Sequence, residues 1–247
     1  MDEESKYMFD LQGYVVLKGV VSSDLIESCS GVMDKIESLS TDQYPRGVQL
    51  GKERTDNELY VSNIVEADPI MHQFIDIPSV IDVISEVSLG LFRLNHTYGI
   101  YRWHEGYTYM HMAGTPLHPK ATYMCQGGQI FSLLSKAVFP IENHKPEDGC
   151  FAVVPGSHKS NFPRPFDDHP HSNPALTPVC AEPGDAIVFT EALTHGSMVN
   201  TSGRRRRTIF NCYSVGYMPD WGTLGLNFTE EFYSELTPER REIVRLK

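Results

Sequence analysis

The spacing of hydrophobic positions changes once along the chain, near residue 91. Before it, Leu25, Ile26, Cys29, Val32, Met33 and Ile36 recur three and four apart behind Ser22-Ser23-Asp24, predicting an amphipathic helix that runs to about Leu39. Asp68 followed by Pro69 to Ile75 predicts a second helix, and Val80 to Val87, capped by Ser79, a third. Gly13 to Leu17 reads as a strand.

From Leu91 the period shortens to that of strands. Phe92 to Trp103 alternates polar and large apolar residues, and further short strands are predicted at 121–125, 129–134, 136–141, 150–154, 186–189 and 208–213, separated by glycine and proline turns. The last two are expected to be antiparallel neighbours. The pattern predicts an all-β jelly-roll core with flanking helices. It fits a single domain over 1–247, with helices at about 22–88 on a β core at about 91–217 and one or two short helices from Phe228 to Leu246.

Two polar stretches interrupt the pattern. Ser38 to Asn57, with Pro45-Arg46-Gly47, reads as a long connection or a lid. Phe162 to Pro178 holds five prolines and the run Asp167-Asp168-His169-Pro170-His171, which reads as a rim loop rather than a metal site.

Charge narrows the partners. Lys plus Arg total 21 against 32 for Asp plus Glu, a formal charge of −11, which argues against nucleic acid or an anionic membrane as partner. No stretch approaches the length of a membrane span, and the acidic start lacks a signal-peptide core, so a cytoplasmic protein is expected. The five cysteines form no CxxC pair and read as buried thiols of a reducing compartment. Monomer and homodimer fit equally.

The chemistry concentrates between Pro183 and Tyr213. His195-Gly196-Ser197 precedes the basic run Arg204 to Arg207, so a strand-end imidazole and a strand-start guanidinium are offered together. His195 with Arg206 eleven residues later, Asp148-Gly149-Cys150, the run Val154 to Lys159 and the segment Asp10 to Val21 together resemble the phytanoyl-CoA dioxygenase-like family. The resemblance implies a double-stranded β-helix of cupin type, with Fe(II) and 2-oxoglutarate as cofactors and a small molecule and O2 as partners. It implies oxidation, by hydroxylation, of an unactivated C–H bond with release of succinate and CO2. It casts His111 and His195 as metal ligands, Arg206 and Ser197 as holders of 2-oxoglutarate, and His158 as a structural histidine.

One position departs from the family pattern. Where the family carries His-x-Asp, this chain has His111-Met112-Ala113, and Ala113 has no carboxylate. Three readings follow. A halide, chloride for instance, occupies the place left by Ala113, as in the family's halogenating relatives. Alternatively Glu105 or Glu191 supplies the carboxylate, although an extended Glu191–His195 segment would put the two Cα atoms about 13 Å apart. In the third, the fold is a non-catalytic cupin-like binding protein. His96, His104 and His118 are alternatives to His111. Tyr98, Tyr101, Trp103, Tyr107 and Tyr109 are candidate pocket walls, and Arg46, Arg102, Lys120 and Arg164 candidate contacts for an anionic substrate. Arg205 and Arg207 should point away from Arg206 and meet surface acids.

Overall fold

The computed structural model describes residues 1–221 and 228–244. Its strands are β1 (Tyr14–Leu17), β2 (Gln49–Leu50), β3 (Glu58–Ser62), β4 (Phe92–Arg102), β5 (Tyr123–Gln126), β6 (Gln129–Ser132), β7 (Leu134–Pro140), β8 (Phe151–Val153), β9 (Thr177–Val179), β10 (Ala186–Thr190), β11 (His195–Ser197) and β12 (Arg206–Val215). Seven form one antiparallel sheet in the order β1-β10-β7-β12-β4-β3-β2, three form a smaller sheet in the order β11-β8-β9, and β5 pairs with β6 as a hairpin.

The expected pairing of the last two long strands does not occur. β7 lies between them, hydrogen-bonded to β10 on one side and to β12 on the other. After β10 the chain turns, with Leu193 N–H donating to the Thr190 carbonyl, and crosses to the small sheet as β11 before returning as β12. This crossing sets His195 and Arg206 on opposing layers, both facing the space between them.

Helices cover the other face of the large sheet. They are α1 (Glu3–Gln12), α2 (Ser23–Ser38), α3 (Pro78–Val87) and, near the C-terminus, α4 (Glu230–Glu235) and α5 (Pro238–Val244), with a 3-10 helix at Pro69–Asp76. Strand alternation sends Leu59, Tyr101, Phe139 and Ile209 into this helix-covered core. Buried hydrogen bonds fix the docking: Tyr101 donates to the Met33 carbonyl, Asn211 to that of Phe74 and Tyr213 to that of Ile75.

Several expectations are adjusted in detail. Ser22 caps α2 as predicted, its side chain accepting from Leu25 N–H. Ser79 is not a cap, because Pro78 already occupies the first turn of α3, where its missing N–H costs nothing. The segment after Asp68 winds as a 3-10 helix. Helix α1 was not foreseen, although Asp2 caps it and Gly13, at φ 88, closes it by donating to the Phe9 carbonyl. The polar connection after Ser38 holds a short 3-10 turn at Thr41–Gln43 and strand β2, and β3 follows it. Leu246 lies outside the described residues. No helix among the described residues is long and apolar enough to cross a membrane.

Candidate active site

Between the inner face of the large sheet and the small sheet lies a cavity of about 400 Å³. Two imidazoles meet on its wall. His111 and His195 exchange backbone hydrogen bonds of 3.0 Å in both directions, which brings the ring centroids to 4.2 Å. Each Nδ1 faces a carbonyl, Tyr109 O at 2.9 Å for His111 and Leu193 O at 2.7 Å for His195. A carbonyl only accepts, so each Nδ1 carries the proton and each Nε2 presents its lone pair. Burial keeps both rings neutral, lowering His195 well below its ordinary pKa and His111 in the same direction.

Glu191 completes the cluster. Its Oε2 is 3.9 Å from His195 Nε2, and the donor atoms of His111, Glu191 and His195 all lie within 4.8 Å of one another. The 13 Å separation expected of an extended segment is corrected by the turn from Thr190 to Leu193, which folds the carboxylate back over the histidine. Glu105 is on the surface, with a side chain 76% exposed. Ala113 does not line the cavity; it lines a separate depression with Pro116 and Pro163. The chain diverges there because Met112 sits at φ 62 and Gly114 N–H is tied to the Ser157 carbonyl.

The alternative histidines take other roles. His96 is buried, bonded to Asn95 and stacked on Tyr98, His104 is exposed, and His118 stacks on Trp221. His158 is the expected structural histidine, its Nε2 donating to the Asp10 carbonyl under the edge of Tyr123. His169 and His171 lie on the exposed rim and form no metal-holding cluster among the described residues.

At one end of the cavity Arg206 and Arg102 are cross-strand partners. Arg102 is paired with Glu58. Arg206 is 4% exposed and its Nε has no acceptor. Burial, with Arg102 beside it, lowers the Arg206 guanidinium to about 9. Arg102 Nε and Thr208 Oγ1 also lack partners, and all these residues line the same cavity. Buried orphans cost about 1–3 kcal/mol each, so their clustering marks a place for an anion that would satisfy them together. Ser197 Oγ accepts from Thr108 N–H at 2.8 Å and lies 3.4 Å from Arg102, leaving its own hydrogen to donate.

Of the proposed walls, Tyr98 and Tyr109 line the cavity. Tyr101 and Trp103 belong to the helix-facing core, and Tyr107 meets His169 at the rim. Among the basic candidates only Arg102 lines it; Arg46 pairs with Glu235, Lys120 donates to the Asp220 carbonyl, and Arg164 donates to the Met110 carbonyl and pairs with Asp168. Arg205 and Arg207 meet the acids of α2 as expected.

Sequence reasoning passed over Lys136. Its Nζ is 2.9 Å from Glu191 Oε2, so that oxygen is charge-compensated by a buried ammonium. Burial works against the ammonium, and Glu191 more than restores it, leaving its pKa above the ordinary value. The available signal was a lysine inside a strand otherwise buried along its whole length.

Two facing sheets enclosing a cavity, with the paired histidines on the short sheet's edge, define a cupin-like jelly roll, the double-stranded β-helix. The chain belongs to the phytanoyl-CoA dioxygenase (PhyH) family, whose sequence profile matches residues 9–208. HygX from Streptomyces hygroscopicus, crystallised with nickel and 2-oxoglutarate, superposes with a TM-score of 0.76 at 23% identity, over 90% of each chain. AviO1 from Streptomyces viridochromogenes Tue57 gives 0.64 at 19% identity, over 87% of this chain and 96% of that one. At such identities these likenesses show the fold. Dioxygenase lolE1 of Epichloe uncinata is 32% identical over 77 residues, so the match spans only 30% of this chain and 30% of that protein.

Proposed function

We propose that this protein is an Fe(II)- and 2-oxoglutarate-dependent oxygenase that hydroxylates an unactivated C–H bond of a small molecule. The observation that carries this reading is the opening of the His111, Glu191 and His195 cluster into the same cavity as the unpaired Arg206. Two neutral imidazoles and a carboxylate are the donor set that suits a non-haem ferrous ion with open positions. The residues present therefore fit the metal, with Glu191 in the role that Ala113 cannot fill. Family membership and the nickel and 2-oxoglutarate bound by HygX support the same reading.

Arg206 would receive the distal carboxylate of 2-oxoglutarate through its paired donors, and Thr208 and Ser197 would add hydroxyl contacts. The carbonyls of Tyr109 and Leu193 hold the two rings in the tautomer that keeps Nε2 free. Bound by His111, His195 and Glu191, a ferrous ion would supply the oxygen chemistry that converts R–H, 2-oxoglutarate and O2 to R–OH, succinate and CO2. The enclosing sheets keep bulk water from the reacting atoms.

Anaerobic addition of Fe(II) and 2-oxoglutarate tests this, read as a visible metal-to-cosubstrate absorption band. The band is expected in the wild type and lost in Arg206→Ala. Its absence from iron-loaded, folded wild type would overturn the proposal in favour of a binding protein, and a chloride-dependent shift would favour halogenation.

A further inference from the structure

Besides its arginines the cavity holds a lysine, Lys136, whose use the proposed chemistry leaves open. Lys136 and Arg206 lie far apart along the large sheet: Lys136 is paired in register with Cys212, six residues along β12 from Arg206. Around the lysine the wall is aromatic. Its Nζ is 5.7 Å from the centroid of Tyr98 and 6.0 Å from that of Trp221, and Tyr98 is stacked between Tyr60 and Phe210 at 4.9 and 4.6 Å.

The one carboxylate paired with Lys136 among the described residues is Glu191, and the pairing uses Oε2, the oxygen that faces His195 Nε2. A divalent ion held by His111, His195 and Glu191 would draw on that same carboxylate. The ammonium would then stand in a buried chamber beside a doubly charged ion, its only counter-charge shared. Such an arrangement is stable when a further anion enters.

We infer that Lys136 is the receptor of a second carboxylate subsite, aromatic-walled and distinct from the Arg206 end, which becomes available when a divalent ion engages Glu191. This rests on the metal reading above. The carboxylate has two sources: the keto-side carboxylate of 2-oxoglutarate, or an acidic substrate whose flat or apolar body lies along Tyr98 and Trp221.

The test uses the full chain loaded with Ni(II), which is redox-silent, and compares wild type, Lys136→Met and Lys136→Arg by calorimetry. Nickel affinity is measured first. Affinity for 2-oxoglutarate follows, and then that of phenylacetate against phenylacetamide at saturating 2-oxoglutarate. A loss of about tenfold or more in 2-oxoglutarate affinity in Lys136→Met, at unchanged nickel affinity, assigns the subsite to the cosubstrate. Unchanged 2-oxoglutarate affinity, with a wild-type preference for phenylacetate over its amide that disappears in Lys136→Met and persists in Lys136→Arg, assigns it to an acidic substrate. The inference is overturned if neither affinity depends on Lys136, or if Lys136→Met loses nickel, since the lysine would then only position Glu191. Failure of wild type to bind nickel defeats the underlying metal reading and is seen before any variant is made.

Discussion

Arg206 and Arg207 are consecutive residues on β12, both almost wholly buried, yet they sit on opposite faces of one sheet and live in opposite electrostatic worlds. Arg207 turns toward α2, where it contacts Glu142, Asp34 and Ser30. Arg206 turns toward the cavity, where its Nε has no acceptor and a second guanidinium is its neighbour. A buried cation fully engaged by its own chain holds a fold together. One left without acceptors, facing a cavity, costs stability and is explained by a ligand that arrives later.

The strongest way to break that contrast is to truncate each arginine. Arg206→Ala is expected to weaken 2-oxoglutarate binding by about a hundredfold or more, the loss of a paired-donor contact to a carboxylate, while leaving thermal stability unchanged or slightly higher. Arg207→Ala is expected to cost about 2 kcal/mol of stability, because Ser30 and the half-exposed acids lose their partner, with 2-oxoglutarate affinity preserved. Calorimetric binding and denaturant melts of both variants decide it. Equal effects on binding would erase the distinction between the faces.

A second comparison sets Glu191 against Ala113. Glu191→Ala removes one of three donors and should lower Ni(II) or Fe(II) affinity by at least about tenfold, a change read by calorimetry. Ala113→Asp should leave metal affinity within about twofold of wild type, because its side chain faces the depression beside Pro116 rather than the cluster. A large gain in affinity from Ala113→Asp would show that the loop after His111 swings inward and that the family's usual carboxylate position is still open.

How much of this was legible in the sequence follows from the same geometry. Helix α2 could be read because six apolar residues at helical spacing admit one solution. His195, Ser197 and Arg206 could be read because a short motif carries them on regular strands. Glu191 was discounted because a straight segment was assumed where a turn at Thr190 reverses the chain. Strand β3 was missed because five residues beginning at a glutamate, amid polar neighbours, give too short an alternation, and Glu58 is buried only through its pairing with Arg102. Likewise the placement of β7 between β10 and β12 depends on long-range pairing that no local pattern encodes.

The contrast between engaged and waiting polar groups extends to the histidines. His158, packed between Asp10, Lys159 and the ring of Tyr123, is pushed down to about 4, chiefly by burial and then by Lys159. Its folded pKa lies below its unfolded value, so protonation favours the unfolded chain. The stabilisation it gives is complete above about pH 6.5 and is lost as pH falls through about 4, up to about 3 kcal/mol at the acid end. His144, lowered to about 3 by burial and by Arg206, adds to the same trend at lower pH. His158→Gln should therefore flatten part of the fall in stability between pH 6.5 and 4, with less stability at neutral pH from the altered bond to Asp10. Denaturant midpoints across that window give the slope for each protein, and an unchanged slope in the variant would place the acid sensitivity elsewhere.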